Sequence, residues 1–199
     1  MSAKEIRRNK DEKGFTLIEL LVVAAIIGIL LAIAIPNLMK ARMSANEANA
    51  RKSMQTLRDA EGEYFEQDLD NNGERDFTSE IGAQGTAGSL RDPEGTSEEA
   101  DALIDSSFEG ADCGAAAALG NCCTDSKAGY CISWDSVEVA EGTDLDDFAW
   151  RTSMTSYNKT GRRDFAVYGD GAIRCSVSTA AAAGDPGKFD TNRDSPGCD

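Results

Sequence analysis

The chain contains no histidine. That removes the usual general base, the imidazole of a nucleophilic triad and the commonest zinc ligand. Carboxylates alone can run an enzyme, but no two of them form a defined constellation, so the chain reads as not an enzyme. Positive charge is scarce. Twenty Lys and Arg stand against 35 Asp and Glu, for a net charge of −15 over 199 residues. So acidic a balance argues against nucleic-acid binding, which needs basic surface. It suits a soluble, self-repelling domain, or one that takes up divalent cations. Cysteine is absent before Cys113, and no basic residue occurs between Phe15 and Met39. The length allows one domain plus an anchor.

What is present begins with an apolar run from Phe15 to Ile35, 21 residues with Glu19 as the one charge. A helix of that length covers about 32 Å, enough for a bilayer core. Five basic residues (Lys4, Arg7, Arg8, Lys10, Lys13) precede it against three acidic ones (Glu5, Asp11, Glu12). That excess keeps the N-terminus cytoplasmic and puts everything after Pro36 outside. Without those 14 residues the chain has 15 basic and 32 acidic residues, a net charge of −17. A carboxylate inside a membrane segment costs ~2.5–3.5 kcal/mol at the centre and usually has a partner. A new α-amine would supply one if the chain were cut after Gly14, whose missing Cβ lets a peptidase approach. Two plainer readings compete. One is a signal-anchor helix. The other is a secretory signal peptide cleaved at the A-x-A-like Ala32-Ile33-Ala34. Neither explains Glu19 or the Gly14–Phe15 junction.

The stretch KGFTLIELLVVAAIIGILLAIAIPN, Lys13 to Asn37, resembles the N-terminus of type IV pilins and of type II secretion pseudopilins. The resemblance covers roughly the first 50 residues, a quarter of the chain. It implies cleavage by a prepilin peptidase between Gly14 and Phe15 and N-methylation of Phe15. It also implies pairing of Glu19 with the Phe15 amine of a neighbouring subunit during assembly. The implied fold is α+β: a long N-terminal helix, transmembrane then amphipathic, packed on a C-terminal antiparallel sheet. The implied function is a structural subunit of a type IV pilus, built from copies of itself by pilus or secretion assembly machinery. The subunit would wait in the bacterial inner membrane before joining a cell-surface pilus. A periplasmic pseudopilin of a type II secretion system is the alternative machine. A membrane-anchored acidic ligand-binding protein is the alternative of another class.

The rest is read from its residues. Residues 1–14 form a leader and 15–35 the membrane or filament-core segment; 36–199 form the head. Pro36 removes a helical donor, so a kink or locally unwound turn is expected near 32–36. Met43, Ala50, Met54, Leu57, Tyr64 and Phe65 recur at helical spacing, which predicts one helix from Phe15 to about residue 66. Residues 67–128, rich in Gly, Asp, Ser and Ala, read as a long connection. Its ordering would rely on disulfides, ions or neighbouring subunits. Short helices are expected at 97–106, capped by Ser97, and near 113–119. A sheet is expected over 129–178. Its first strand is Tyr130–Trp134, continuing into Val137 and Val139, and its second runs Phe148–Met154. A hairpin turns at Gly169-Asp170-Gly171 between Asp164–Tyr168 and Ala172–Val177. Residues 179–199 form a loop tied down by Cys198.

Two constellations remain. Asp68, Asp70, Asn72, Glu74 and Asp76 fit the first nine positions of a calcium loop, with Gly73 at the sharp turn. Position 12 is Ser79 where the bidentate Glu belongs, so calcium is an optional ligand, no cofactor is required, and a plain acidic turn is the competing reading. Six cysteines (Cys113, Cys122, Cys123, Cys131, Cys175, Cys198) on the exported side imply three disulfides with 15 possible pairings. The adjacent Cys122 and Cys123 would strain if joined. The pilin resemblance implies Cys175–Cys198, a closed C-terminal loop.

Overall fold

In the computed structural model, the described residues are 14–113, 123–139, 145–179 and 187–198. The chain divides into two compact units, one ending at Lys40 and the other starting at Ala41.

Helix α1 spans Leu17–Gln67, 51 residues. It is unbroken through Pro36, so the unwound turn expected near 32–36 does not form. Proline removes one donor, and the flanking helical bonds hold without it. At the far end Asp68 (φ +48°) and Asn71 (φ +57°) turn left-handed, and the chain leaves the helix there.

In the second unit, α1 buries Ala50, Ser53, Met54, Leu57, Ala60, Glu61 and Tyr64. These positions recur three and four apart and mark one face. Met43 and Phe65 sit at its half-buried margin, and Phe65 stacks on Phe77 at 4.6 Å. The face packs on an antiparallel sheet of order β1-β2-β3-β4, comprising β1 Tyr130–Trp134, β2 Ala149–Met154, β3 Arg163–Tyr168 and β4 Ile173–Val177. Tyr130, Ile132, Trp134, Trp150, Phe165 and Val167 join the helix residues in one core, with Trp134 edge-on to Trp150 at 5.1 Å. Phe165 and Val167 are buried, with Ile173 and Cys175 partly buried and packed against the same core. This is the expected α+β arrangement.

Strand β1 is shorter than expected. Val137 is 85% exposed in a turn where the Asp135 carbonyl accepts from Glu138 and Val139. Asp135 also takes the Val137 amide on its carboxylate (3.3 Å), and this local bonding outcompetes the strand.

The sheet is covered on both faces. Residues 187–198 cross the face away from α1. Phe189 lies under the Arg151 guanidinium at 5.5 Å, and Asp190 donates its amide to Asp164 (3.1 Å). Gly187 bonds the Met154 carbonyl, and an added Cβ there would meet Ser153 Oγ at 1.9 Å. Only glycine allows that approach. The two sheet edges are also occupied. Ile132 of β1 bonds Ala111 and Cys113, while Cys175 of β4 bonds Pro196 and Cys198 bonds Ile173. Covered edges cannot template another chain's strand. Disulfides lie at both: Cys123–Cys131 beside β1 and Cys175–Cys198 beside β4. Cys113 is also disulfide-bonded, and Cys122 lies outside the described residues.

The connection between α1 and β1 adds apolar residues to that same core. Ile81, Leu90, Ile104 and Phe108 are buried there. At its centre Arg91, 1% exposed, holds Glu99 in a two-point pair (2.7 and 2.9 Å), Glu109 (2.9 Å) and the Ile104 carbonyl (2.7 Å). Next to it the Asp92 carboxylate accepts the amides of Gly85, Thr96 and Ser97. This corrects two expectations. The segment is ordered by an internal arginine rather than only by disulfides, ions or neighbours. The helix over 97–106 is replaced by 3-10 turns at Glu99–Asp101 and Ser106–Phe108, with Ser97 left-handed (φ +62°) instead of capping. Asp92 claims the amides that would have opened that helix. The short helix expected near 113–119 lies almost entirely outside the described residues.

Candidate functional site

Gly14, Phe15 and Glu19, the residues expected to serve processing and assembly, lie at or just before the start of α1. Every large apolar side chain from Phe15 to Met39 is exposed in the isolated chain, Phe15 by 90%. The helix is long and apolar enough to cross a membrane. So much unpartnered apolar surface needs lipid or protein around it. Gly14 precedes the helix outside any regular element, with nothing within 4 Å of a would-be Cβ.

Glu19 has a partner in its own chain. Its carboxylate accepts the Thr16 amide (2.8 Å) and the Thr16 hydroxyl (2.7 Å), while its own amide donates to Thr16 Oγ1 (3.3 Å). This is a reciprocal N-terminal cap, and the T-x-x-E spelling before an apolar run is its sequence signal. Thr16 was therefore legible beside Gly14, Phe15 and Glu19, though the charge alone does not point to it. Magnitudes decide what the cap leaves undone. A cap is worth ~1 kcal/mol, against ~2.5–3.5 kcal/mol for a carboxylate at mid-membrane. The carboxylate remains available to a cation.

The acidic loop after α1 does not converge on a metal position. Asn72 donates its amide nitrogen to Asp70 (2.9 Å) and Asp76 (3.0 Å), occupying the carboxylates rather than adding an oxygen to them. Asp68 is taken by the Gly73 amide, and the Glu74 amide by Asn72 Oδ1. Among the described residues no group of three or more His, Cys, Asp or Glu is placed to hold a metal ion. The residues fit a self-closed acidic turn better than a calcium site.

Two buried carboxyls in the head carry no motif. Glu61 sits on the buried face of α1, where it accepts from Trp150 Nε1 (2.6 Å) and the Thr78 amide (3.2 Å). Burial pushes its pKa up to about 8 despite those two donors. Asp164 accepts from Ser153 Oγ (2.5 Å), and burial raises it to about 6. The signal for Glu61 was its place four residues after Leu57 on the apolar stripe. Neither carboxyl is joined to a second titratable group in a catalytic arrangement.

Residues 9–35 match the family model of the prokaryotic N-terminal methylation motif. The chain is 42% identical over 76 residues to the type IV major pilin protein PilA of Myxococcus xanthus, covering 38% of this chain and 33% of that one. It is 63% identical over 38 residues to the type IV wide pilus major component PilA4 of Thermus thermophilus, covering 19% and 29%. It is 50% identical over 48 residues to the type IV narrow pilus major component PilA5 of the same organism, covering 24% and 41%. The chain thus matches less than half the length of each of these relatives. No solved structure matches the chain. The methylation motif, the apolar helix it opens and the α+β head make this chain similar to the type IV pilins.

Proposed function

We propose that the chain is the repeating structural subunit of a type IV pilus, with no catalytic role of its own. A prepilin peptidase cuts between Gly14 and Phe15, and Phe15 is then N-methylated. Before assembly, residues 15–35 hold the subunit in the bacterial inner membrane, with the N-terminus cytoplasmic and the head on the far side. In the filament the same residues pack against copies of themselves. Leaving lipid costs little, because helix–helix contact replaces one apolar surround with another.

Glu19 sets the register of that packing. In the waiting subunit Thr16 caps its carboxylate. In the filament the Phe15 amine of a neighbour takes its place, exchanging a neutral donor for a charged one. Both bonds engage an ionised carboxylate, but the amine adds a full opposite charge in a low-dielectric surround, so the exchange favours assembly. The observation that carries this reading is the methylation motif opening a helix whose first part, to Met39, exposes every large apolar side chain and holds one carboxylate. Glu19→Ala tests it. Processing of the N-terminus should persist while filaments on the cell fall by about tenfold or more, the scale of one lost charge pair in an apolar setting. Normal filaments from that variant would remove Glu19 from assembly.

A further inference from the structure

From Arg42 onward, the cations of the head sort into two sets. Arg58, Arg91, Lys127, Arg151, Arg174 and Arg193 are each ion-paired, to Asp59, Glu99 with Glu109, Asp105, Asp135, Asp170 and Asp147. Arg42, Arg51, Lys52, Lys159, Arg162, Arg163 and Lys188 are exposed. They make no ion pair among the described residues. Arg75, in the acidic loop, is likewise unpaired among them but lies at the other end.

The unpaired set gathers at one end of the head. Tyr130 faces Met154 and Arg163 faces Val177, so the start of β1, the end of β2, the start of β3 and the end of β4 lie together. The turn joining β2 to β3 holds Lys159, Arg162 and Arg163. It is fixed to α1 at residues 46 and 47, where Asn46 Nδ2 donates to the Thr160 carbonyl (2.9 Å) and the Arg162 amide to Glu47 (2.9 Å). Gly187, bonded to Met154, puts Lys188 at the same end. Lys52 lines an adjoining groove of about 350 Å3 together with Asn49, Thr56 and the ion-paired Lys127 and Asp105. The outer end is the opposite in charge. Glu63, Glu94 and Asp101 rim a cleft of about 320 Å3 floored by Leu69 and Leu103, and none of the three is ion-paired among the described residues. Glu63 is about 24 Å further along α1 than Glu47, at ~1.5 Å per residue. Residues 59–199 as a whole carry 30 acidic against 10 basic side chains.

We propose that the basic end of the head is a docking surface for a second copy of this chain. Lys52, Lys159, Arg162 and Arg163 meet the acidic cleft rimmed by the Glu63, Glu94 and Asp101 of that copy. The inference rests on the filament reading and adds the head contact to it. Two different patches on one chain make a head-to-tail interface, which closes into a ring or, where the rotation does not close, propagates as the open helix that a filament needs. The charge pattern also resolves a difficulty. Heads with this excess of acid repel when crowded, unless their few free cations are gathered where a neighbour's acid must sit. Single exposed ion pairs contribute little, but a complementary array repeated at every subunit steers encounter and fixes register.

The test uses the full-length chain in cells that assemble it. Lys159→Glu with Arg163→Glu should lower filament yield about tenfold at physiological salt, an effect of electrostatic mismatch. The N-terminus should stay processed and the melting of the head unchanged. Glu63→Lys with Glu94→Lys and Asp101→Lys should do the same. Both reversals in one chain should restore most of the yield, because each copy then offers inverted but matching ends. Wild-type yield from either reversal, or no recovery in the combined variant, would overturn the docking while leaving the filament reading intact. So would salt-sensitive binding of the full chain to anionic rather than zwitterionic vesicles that Lys159→Glu with Arg163→Glu abolishes without touching filament yield. A wild-type chain that forms no filaments would overturn both readings.

Discussion

Glu19 and Glu61 are two carboxylates on the same helix in opposite circumstances. Glu19 stands in a segment where every large apolar neighbour is exposed, and its one partner is the Thr16 cap beside it. Glu61 is fully buried, and its donors, Trp150 and Thr78, come from distant parts of the chain. The apolar positions around Glu19 lack a core. Those around Glu61 are the core. One stretch of α1 is therefore an unfinished structure whose completion is another molecule. The other is a finished structure that the head completes for itself. Changes near Glu19 should be felt in assembly, and changes near Glu61 in the stability of the head. The same Glu19→Ala variant that loses filaments should leave head melting within about 0.5 kcal/mol of wild type, as for other substitutions away from a core.

The self-completion of the head can be broken at its polar hub. Arg91→Ala leaves the Ile104 carbonyl without its donor and empties a buried site, while Glu99 and Glu109 turn to solvent. We expect a loss of about 4 kcal/mol, from the unpaired buried carbonyl and the cavity together, read by denaturant unfolding. A loss under 1 kcal/mol would show that the connection does not depend on its arginine. Next in size is the disulfide beside β4. Replacing Cys175 and Cys198 by serine frees a loop with a sequence separation of 23 and should cost about 3 kcal/mol by chain entropy. The Cys123–Cys131 pair, with a separation of 8, should cost about 1 kcal/mol less on the same scale. Equal losses would mean that edge cover, not loop length, decides.

Glu61 itself yields a pH signature. Its folded pKa of about 8 lies above the ordinary value of 4.5, so between those values the folded head binds more protons than the unfolded chain. Stability then falls as pH rises through that window and levels off above it. Asp164, raised to about 6 from 3.8, adds the same slope over a lower window. Glu61→Gln removes the larger contribution. It should match wild type near pH 4.5 and become more stable by a few kcal/mol near pH 8, at ~1.4 kcal/mol per pK unit. Parallel melting curves for the two proteins from pH 4.5 to 8 would contradict the buried, proton-bearing Glu61. The smallest effect is expected at Val137, 85% exposed. Val137→Thr should change stability by less than about 0.5 kcal/mol, whereas a strand reaching that residue would make it costly.

The same contrast explains what could be read from the sequence. The start of α1 was legible because each residue carries the same message: apolar at every position, one carboxylate, a Gly–Phe junction. The β3–β4 hairpin was legible because Gly169-Asp170-Gly171 separates two β-branched and aromatic runs. Arg91 was not, because a lone arginine among Gly, Ser and Asp looks solvated until Glu99 and Glu109 close on it. Nor was the cover given by 187–198, which depends on backbone bonds and on the space left by Gly187 rather than on periodicity. In the acidic loop, Asp68 to Asp76 matched a ligand spacing, while Asn72 turned its nitrogen rather than its oxygen to the carboxylates. Spacing fixes which residues can meet, not which atoms they present.

The most direct test is the mass of the mature N-terminus, measured on chain recovered from surface filaments. A pilus subunit completed by its neighbours must begin at Phe15 and carry one N-methyl group. A chain that still begins at Met1, or one trimmed to Ile35, would contradict the account.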